Sequence, residues 1–233
     1  MTNYTTTSTA ANSSLMASLF KSLYMQMAAA LSLTGLTAYL LSGSEAYWTM
    51  LMNNPSILWI ALFAELGVVM WLSARVMNMS MGAATALFIL YSVLNGVTLS
   101  SIFLVYDIGT IATTFFVTAG TFLTMSIIGY MTRIDLSKVG NVLFMLLIGL
   151  LIATVVNIFL ASTTLYWIIT YAGVVIFVGL TAWDTQKIRR TFEEHGTADD
   201  NGNKLALFGA LILYLDFINL FLFLLRIFGG NRD

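Results

Sequence analysis

The sequence predicts an all-α membrane protein with seven transmembrane helices. Three observations carry the prediction. Apolar residues make up 59 % of the chain and charged residues only 9 %, against a soluble norm of roughly 25 % charged. The apolar residues gather in seven runs, each near the ~20 residues that a hydrocarbon core of ~30 Å requires. The last run, Leu205–Phe228, reads LALFGALILYLDFINLFLFLLRIF and is apolar on every face. A helix without a polar face belongs inside a bundle rather than flat on a membrane surface.

Residues 1–19 are rich in Ser, Thr and Asn and carry no charge. A secretory leader would open on basic residues before a short apolar core, so this stretch reads as a flexible cytoplasmic tail ahead of a seven-helix domain over 20–233. The first span runs over Phe20–Leu41, with Lys21 at its entrance, and a polar loop follows over Ser42–Asn54. The second, Ser56–Met77, carries Glu65 in its middle and Arg75 at its far end. The third, Met81–Tyr106, contains YSVLNGVTLSS, and the fourth is Ile108–Met131. A charged loop from Arg133 to Lys138 leads into the fifth span, Val139–Leu160. The sixth, Thr164–Trp183, ends beside Asp184, and Lys187–Lys204 reads as the one substantial hydrophilic loop. The single proline, Pro55, lies between spans, so proline kinks none of them.

Lys and Arg set the orientation. Counting sides alternately, the N-terminal side holds Lys21, Arg75, Arg133, Lys138, Lys187, Arg189, Arg190 and Lys204. The opposite side has only Arg226 and Arg232, at the C-terminus. The positive-inside rule then places the N-terminus in the cytoplasm and the C-terminus outside. A six-span alternative, with a re-entrant last segment, would return the C-terminus to the cytoplasm.

Composition also excludes functions. Without cysteine there is no disulfide framework, thiolate metal site or Cys nucleophile. One histidine, His195, removes any His-pair metal site and the usual membrane-embedded Ser–His pair. No basic block points to nucleic acid. No lysine lies within the last span, against a retinal-type receptor. No cofactor is expected, and the chain does not read as an enzyme.

Polar residues inside the spans are the candidate functional groups. A charge at bilayer depth costs about 2.5–3.5 kcal/mol on insertion scales, and ionisable groups there are functional by default. Asp216 sits near the middle of the last span, with Asn219 one turn on. Its alternative role is a structural carboxylate held by hydrogen bonds. Glu65 is either a buried neutral acid or part of an ion path. The Ser, Thr and Gly positions around Asn95 read as helix-packing residues, whereas an amide such as Asn95 wants several partners. Asp184 closes span six in GLTAWDTQKIRR. Asp216 is eleven residues past Leu205, roughly 16 Å along a helix, so the two aspartates lie at different depths in a simple slab. They meet only if the sixth helix continues through Arg190 or the seventh starts outside the membrane.

GLTAWDTQKI followed by LILYLDFINLFLFLLRIFG resembles the signature of the Bax inhibitor-1 family (transmembrane Bax inhibitor motif proteins), and YSVLNGVTLSSIF resembles its third-helix motif. The likeness runs from Phe20 onward and is greatest to the bacterial inner-membrane branch. It implies seven helices with the seventh central and wrapped by the other six. It implies a pH-sensitive calcium leak whose sensor is a hydrogen-bonded aspartate pair, here Asp184 and Asp216. Arg75 is the candidate latch on the sixth-helix aspartate, and Glu65, Asn95 and Asn219 are candidates for the ion path. Two carboxylates in contact cannot easily both ionise, so such a pair shares one proton and titrates as a unit. With the proton the helices are clamped; without it the pair repels and the last helix is free to shift. Calcium wants several oxygen ligands; Asp184 and Asp216, with Glu65 and Asn219, would give a weak, transient site. Some bacterial relatives also bind a membrane-anchored ATP-dependent protease, which makes a non-transporting regulator, working through the N-terminal tail, the alternative reading.

Overall fold

The computed structural model describes the backbone of residues 3–230 and the side chains of residues 13–230. The elements in order are α1 (Asn3–Ser42), α2 (Glu45–Asn53), α3 (Ser56–Arg75), a 3-10 turn (Val76–Asn78), α4 (Met81–Leu99), α5 (Ile102–Val105), α6 (Ile108–Met131), α7 (Ser137–Leu160), α8 (Thr163–His195) and α9 (Asp200–Gly229). The described residues contain no strand. Seven stretches are long and apolar enough to cross a membrane.

Local chemistry sets the boundaries. α6 begins where Asp107 accepts from the Thr110 N–H at 2.9 Å, an N-cap that satisfies a helix-end donor. Ser80 does the same for α4. Ser44 caps α2 by accepting from the Tyr47 N–H, so part of the loop expected over Ser42–Asn54 is a short helix instead. α1 begins at Asn3 and takes in most of the segment read as a tail; extending a formed helix costs far less than starting one. The third span breaks at Ser100–Ser101, between α4 and α5.

The largest departure is at Lys187–Lys204. α8 runs for 33 residues to His195, roughly 50 Å at 1.5 Å per residue, and α9 already starts at Asp200. Only Gly196–Asp199 lies between the two helices. The polar residues of this stretch end the hydropathy signal, yet Lys, Arg, Gln and Glu are good helix formers, so the helix runs on past the apolar stretch.

The chain divides into two compact units. The first comprises α1–α5 with the residues from Thr191 to Leu211. Here α1 and α4 approach at backbone distance: a Cβ on Gly96 would lie 2.7 Å from the Thr34 carbonyl oxygen. Thr34 donates to the Ser92 carbonyl at 2.9 Å, and Ser92, Gly96 and Ser100 recur at four-residue spacing. These small residues do what the sequence suggested, letting helices touch. The second unit comprises Asp107–Arg190 and the chain from Ile212 onward. Its core interleaves Leu143 and Leu150 of α7, Ile176, Phe177 and Leu180 of α8, and Leu220, Phe223 and Leu224 of α9. Phe217 of α9 meets Phe115 and Phe122 of α6 edge-on at 5.5 Å. α9 is the most buried span, with 67 % of its most apolar window inside the protein against 11–44 % for the others. A last helix that is apolar all round is thus explained by protein on its faces rather than lipid.

Candidate functional site

The site follows from the two over-long helices. Because α8 continues past the apolar run and α9 starts before it, Asp184 and Asp216 both sit well inside helices of the second unit. α8 continues through Arg190, one of the routes the sequence left open for the aspartates to meet, and α9 begins ahead of its apolar run, at Asp200. Their side chains are hydrogen-bonded to each other. A bond between two carboxyl groups needs a proton on one of them, since an ionised carboxylate only accepts. Asp184 is 9 % exposed and Asp216 5 %. Asp216 Oδ2 is buried, and apart from the neighbouring Asp184 carboxyl no group reaches it.

The pair lines a cleft of about 570 Å³ among α7, α8 and α9. Lys187, one turn past Asp184, faces the same cleft; its Nζ lies 5.2 Å from the centre of the Trp183 ring. Asn219 is also on the wall and donates to the Leu215 carbonyl of its own helix at 2.8 Å.

A second feature escaped the sequence reading. The turn between α6 and α7 grips α8 around Asp184. Gln186, 5 % exposed, donates to the Ile134 carbonyl at 2.8 Å and accepts from the Leu136 N–H at 2.9 Å. Arg189 donates to the Tyr130 carbonyl at 2.6 Å, and Arg190 pairs with Asp135 at 2.8 Å. Two glycines let the helices close in. A Cβ on Gly129 would fall 2.1 Å from the Ala182 carbonyl oxygen, and one on Gly140 2.1 Å from the Trp183 ring. The signal was present in GLTAWDTQKI: an amide at the edge of an apolar run needs partners for donor and acceptor alike.

Glu65 belongs to the first unit. Its carboxylate accepts from the Asn95 amide and, at 3.1 Å, from the Thr98 hydroxyl. The Asn95 amide also reaches the Tyr91 hydroxyl at 3.4 Å, while its Oδ1 is buried without a partner. Asn95 therefore finds the partners an amide wants on its donor side. Arg75 is the exposed last residue of α3 in the same unit. Among the described residues no group of three or more His, Cys, Asp or Glu gathers to hold a metal ion. Of the residues expected to hold a cation together, Asp184, Asp216 and Asn219 lie in the second unit, while the Glu65 carboxylate is engaged within the first by Asn95 and Thr98.

A family model described as inhibitor of apoptosis-promoting Bax1 matches residues 16–233. The chain is 50 % identical over 210 residues to the inner membrane protein YbhL of Escherichia coli K12, covering 90 % of each chain. It is 43 % identical over 207 residues to an uncharacterised protein of Borreliella burgdorferi, covering 89 % of each. An uncharacterised protein of Rickettsia prowazekii, RP147, is 42 % identical over 210 residues, 90 % of this chain and 88 % of that one.

Proposed function

Since the chain belongs to the Bax inhibitor-1 family, we propose that it is a cation leak, with calcium as its cargo, gated by protonation of Asp184 and Asp216. The observation that carries this reading is the carboxyl–carboxyl hydrogen bond in a cleft of the most buried helix. The shared proton is a clasp between α8 and α9. When it leaves, two like charges remain in contact in a low dielectric, and repulsion there is far stronger than in water. The grip on α8 makes it the fixed wall and α9 the part that moves. The leak therefore rises with pH, because the deprotonated pair is the open form. A hard cation takes 6–8 oxygens and the pair supplies two carboxylates, so water completes the shell and the ion passes rather than stays. Glu65, Asn95 and Asn219 are proposed to line the path and Arg75 to hold the closed form. No enzymatic step or cofactor is invoked.

YbhL is an inner membrane protein, and we place this chain likewise in a bacterial inner membrane, N-terminus inside and C-terminus outside. The test is calcium flux into liposomes holding the purified protein, scanned across pH, for the wild type and Asp216→Asn. A leak that rises with pH in the wild type and is flat in the variant supports the reading. No flux at any pH overturns it and leaves a non-transporting partner of a membrane-anchored ATP-dependent protease. In that case deleting residues 1–19 abolishes binding.

A further inference from the structure

The turn that grips α8 also gathers cations. Hydrogen bonds lay residues 130–140 alongside residues 183–190. Arg189 reaches the Tyr130 carbonyl, Gln186 the backbone of Ile134 and Leu136, and Arg190 the side chains of Asp135 and Ser137. Arg133 and Lys138 are thereby held near Lys187, Arg189 and Arg190 of α8. The same two stretches contain only two carboxylates. Asp135 is paired with Arg190, and Asp184 is buried against Asp216. Two rings set the depth of this patch in a bilayer, since Tyr and Trp collect at the level of the lipid headgroups. Arg189 stands over the Tyr130 ring at 5.5 Å and Lys187 over the Trp183 ring at 5.2 Å. Arg133 and Lys138 are exposed beside them.

The apolar residues among these cations are exposed too. Met131 is 70 % and Ile134 73 % exposed. On α7, Val142 is exposed on the same face as Lys138, four residues and one turn away. Water alone would wet the apolar side chains, and hydrocarbon alone would leave the cations unsolvated, which is costly. A phospholipid with a negative head meets both needs, with phosphate for the cations and acyl chains for the apolar residues. We propose that the α6–α7 turn and α8 form a site for an anionic phospholipid. Its phosphate lies among Arg133, Lys138 and Lys187, and its chains lie against Ile134 and Val142. The lipid is anionic rather than zwitterionic because the cations of the patch outnumber its carboxylates. A head carrying its own ammonium would bring a like charge among them. The site requires no ion passage, and no group in it needs to titrate.

The experiment titrates the full-length, delipidated protein in detergent with phosphatidylglycerol or phosphatidylcholine of identical acyl chains, and reads bound lipid by native mass spectrometry. The wild type should bind phosphatidylglycerol more tightly, by a margin that shrinks as salt is raised. Each Lys or Arg beside an anionic headgroup is worth about fivefold in affinity. Arg133→Gln with Lys138→Gln should therefore weaken phosphatidylglycerol roughly 25-fold and leave phosphatidylcholine unchanged. Lys21→Gln with Lys204→Gln removes the same charge from the first unit and should leave both lipids unchanged. Equal affinity of the wild type for the two lipids overturns the proposal, whatever the variants do. An equal loss in the two double variants also overturns it, because net charge would then be the cause. Displacement of phosphatidylglycerol by glycerol phosphate at the same concentration would remove the lipid as occupant, since the head alone would suffice. No calcium gradient is involved, so this site and the channel stand or fall separately.

Discussion

At the scale of single residues, the closeness of α6 to α8 makes one glycine indispensable and another replaceable. A methyl group on Gly129 would meet the backbone of Ala182 at 2.1 Å, and backbone in a packed helix has little room to yield. Gly129→Ala should destabilise by about 1–3 kcal/mol, the usual cost of overpacking. Gly120 lies on the same helix with nothing within 4 Å of its Cβ position. There, alanine should gain about 0.5–1 kcal/mol from backbone entropy. Thermal unfolding of both variants in one detergent checks the pair, and equal shifts would remove the close-packing argument. Asp135 gives a second residue-level outcome. Hydrogen bonds from Ser137, backbone first and side chain next, with Arg190 after them, hold its carboxyl down to about 2. A depressed carboxyl stabilises above the ordinary carboxylate range and loses that contribution as pH falls through about 2. Exchange protection of the Ser137 amide should therefore drop on acidification below about pH 4, the ordinary Asp range, and should be weak at every pH in Asp135→Asn. Single residues were unevenly legible. Asp184 and Asp216 stood out because a carboxylate in an apolar run is anomalous. Gly129, Gly140 and Gln186 did not, because a close approach is a property of two helices and neither one's sequence states it.

Among the helices, α6 matched its expected ends at Ile108 and Met131, since a capping aspartate and a charged loop punctuate the apolar run there. α8 and α9 did not match, because hydropathy marks where lipid ends and not where a helix ends. The error mattered: the polar extensions carry the grip on α8 and bring the two aspartates into reach. The grip can be tested at its centre. Gln186→Leu removes both partners of the α6–α7 turn, leaving the Leu136 N–H and Ile134 carbonyl orphaned at about 1–3 kcal/mol each. Gln186→Glu keeps the acceptor, loses the donor and brings a buried charge. Both should lower the unfolding temperature and speed exchange at the Leu136 amide. Unchanged exchange in the leucine variant would mean that Arg189 and Arg190 hold α8 unaided, and that α8 need not be the fixed wall.

On the scale of the whole molecule, the orientation rests on the distribution of Lys and Arg, and the absence of cysteine from the sequence makes a direct measurement clean. With all seven candidate stretches crossing, the two termini fall on opposite sides, and the positive-inside rule is what assigns the sides. Asn54 is exposed in the link between α2 and α3, and Glu194 is exposed near the end of α8. These two positions lie on opposite sides for any odd or even arrangement in which the intervening spans all cross, because five spans separate them. Single substitutions Asn54→Cys and Glu194→Cys in intact cells should therefore react differently with a membrane-impermeant maleimide. Asn54→Cys should label from outside, and Glu194→Cys only after permeabilisation. The reverse pattern would turn the molecule over and place Asp184, three residues from Lys187, near the outer face. Under the proposed gating it would also move the pH that acts on the pair from the cytoplasm to the outside. Labelling of both sites from one side would mean that one of the five spans does not cross. The stretch of α4 and α5, with its break at Ser100–Ser101, would then be the place to look, since a broken helix at membrane depth is tolerated only where protein or water covers its freed backbone groups.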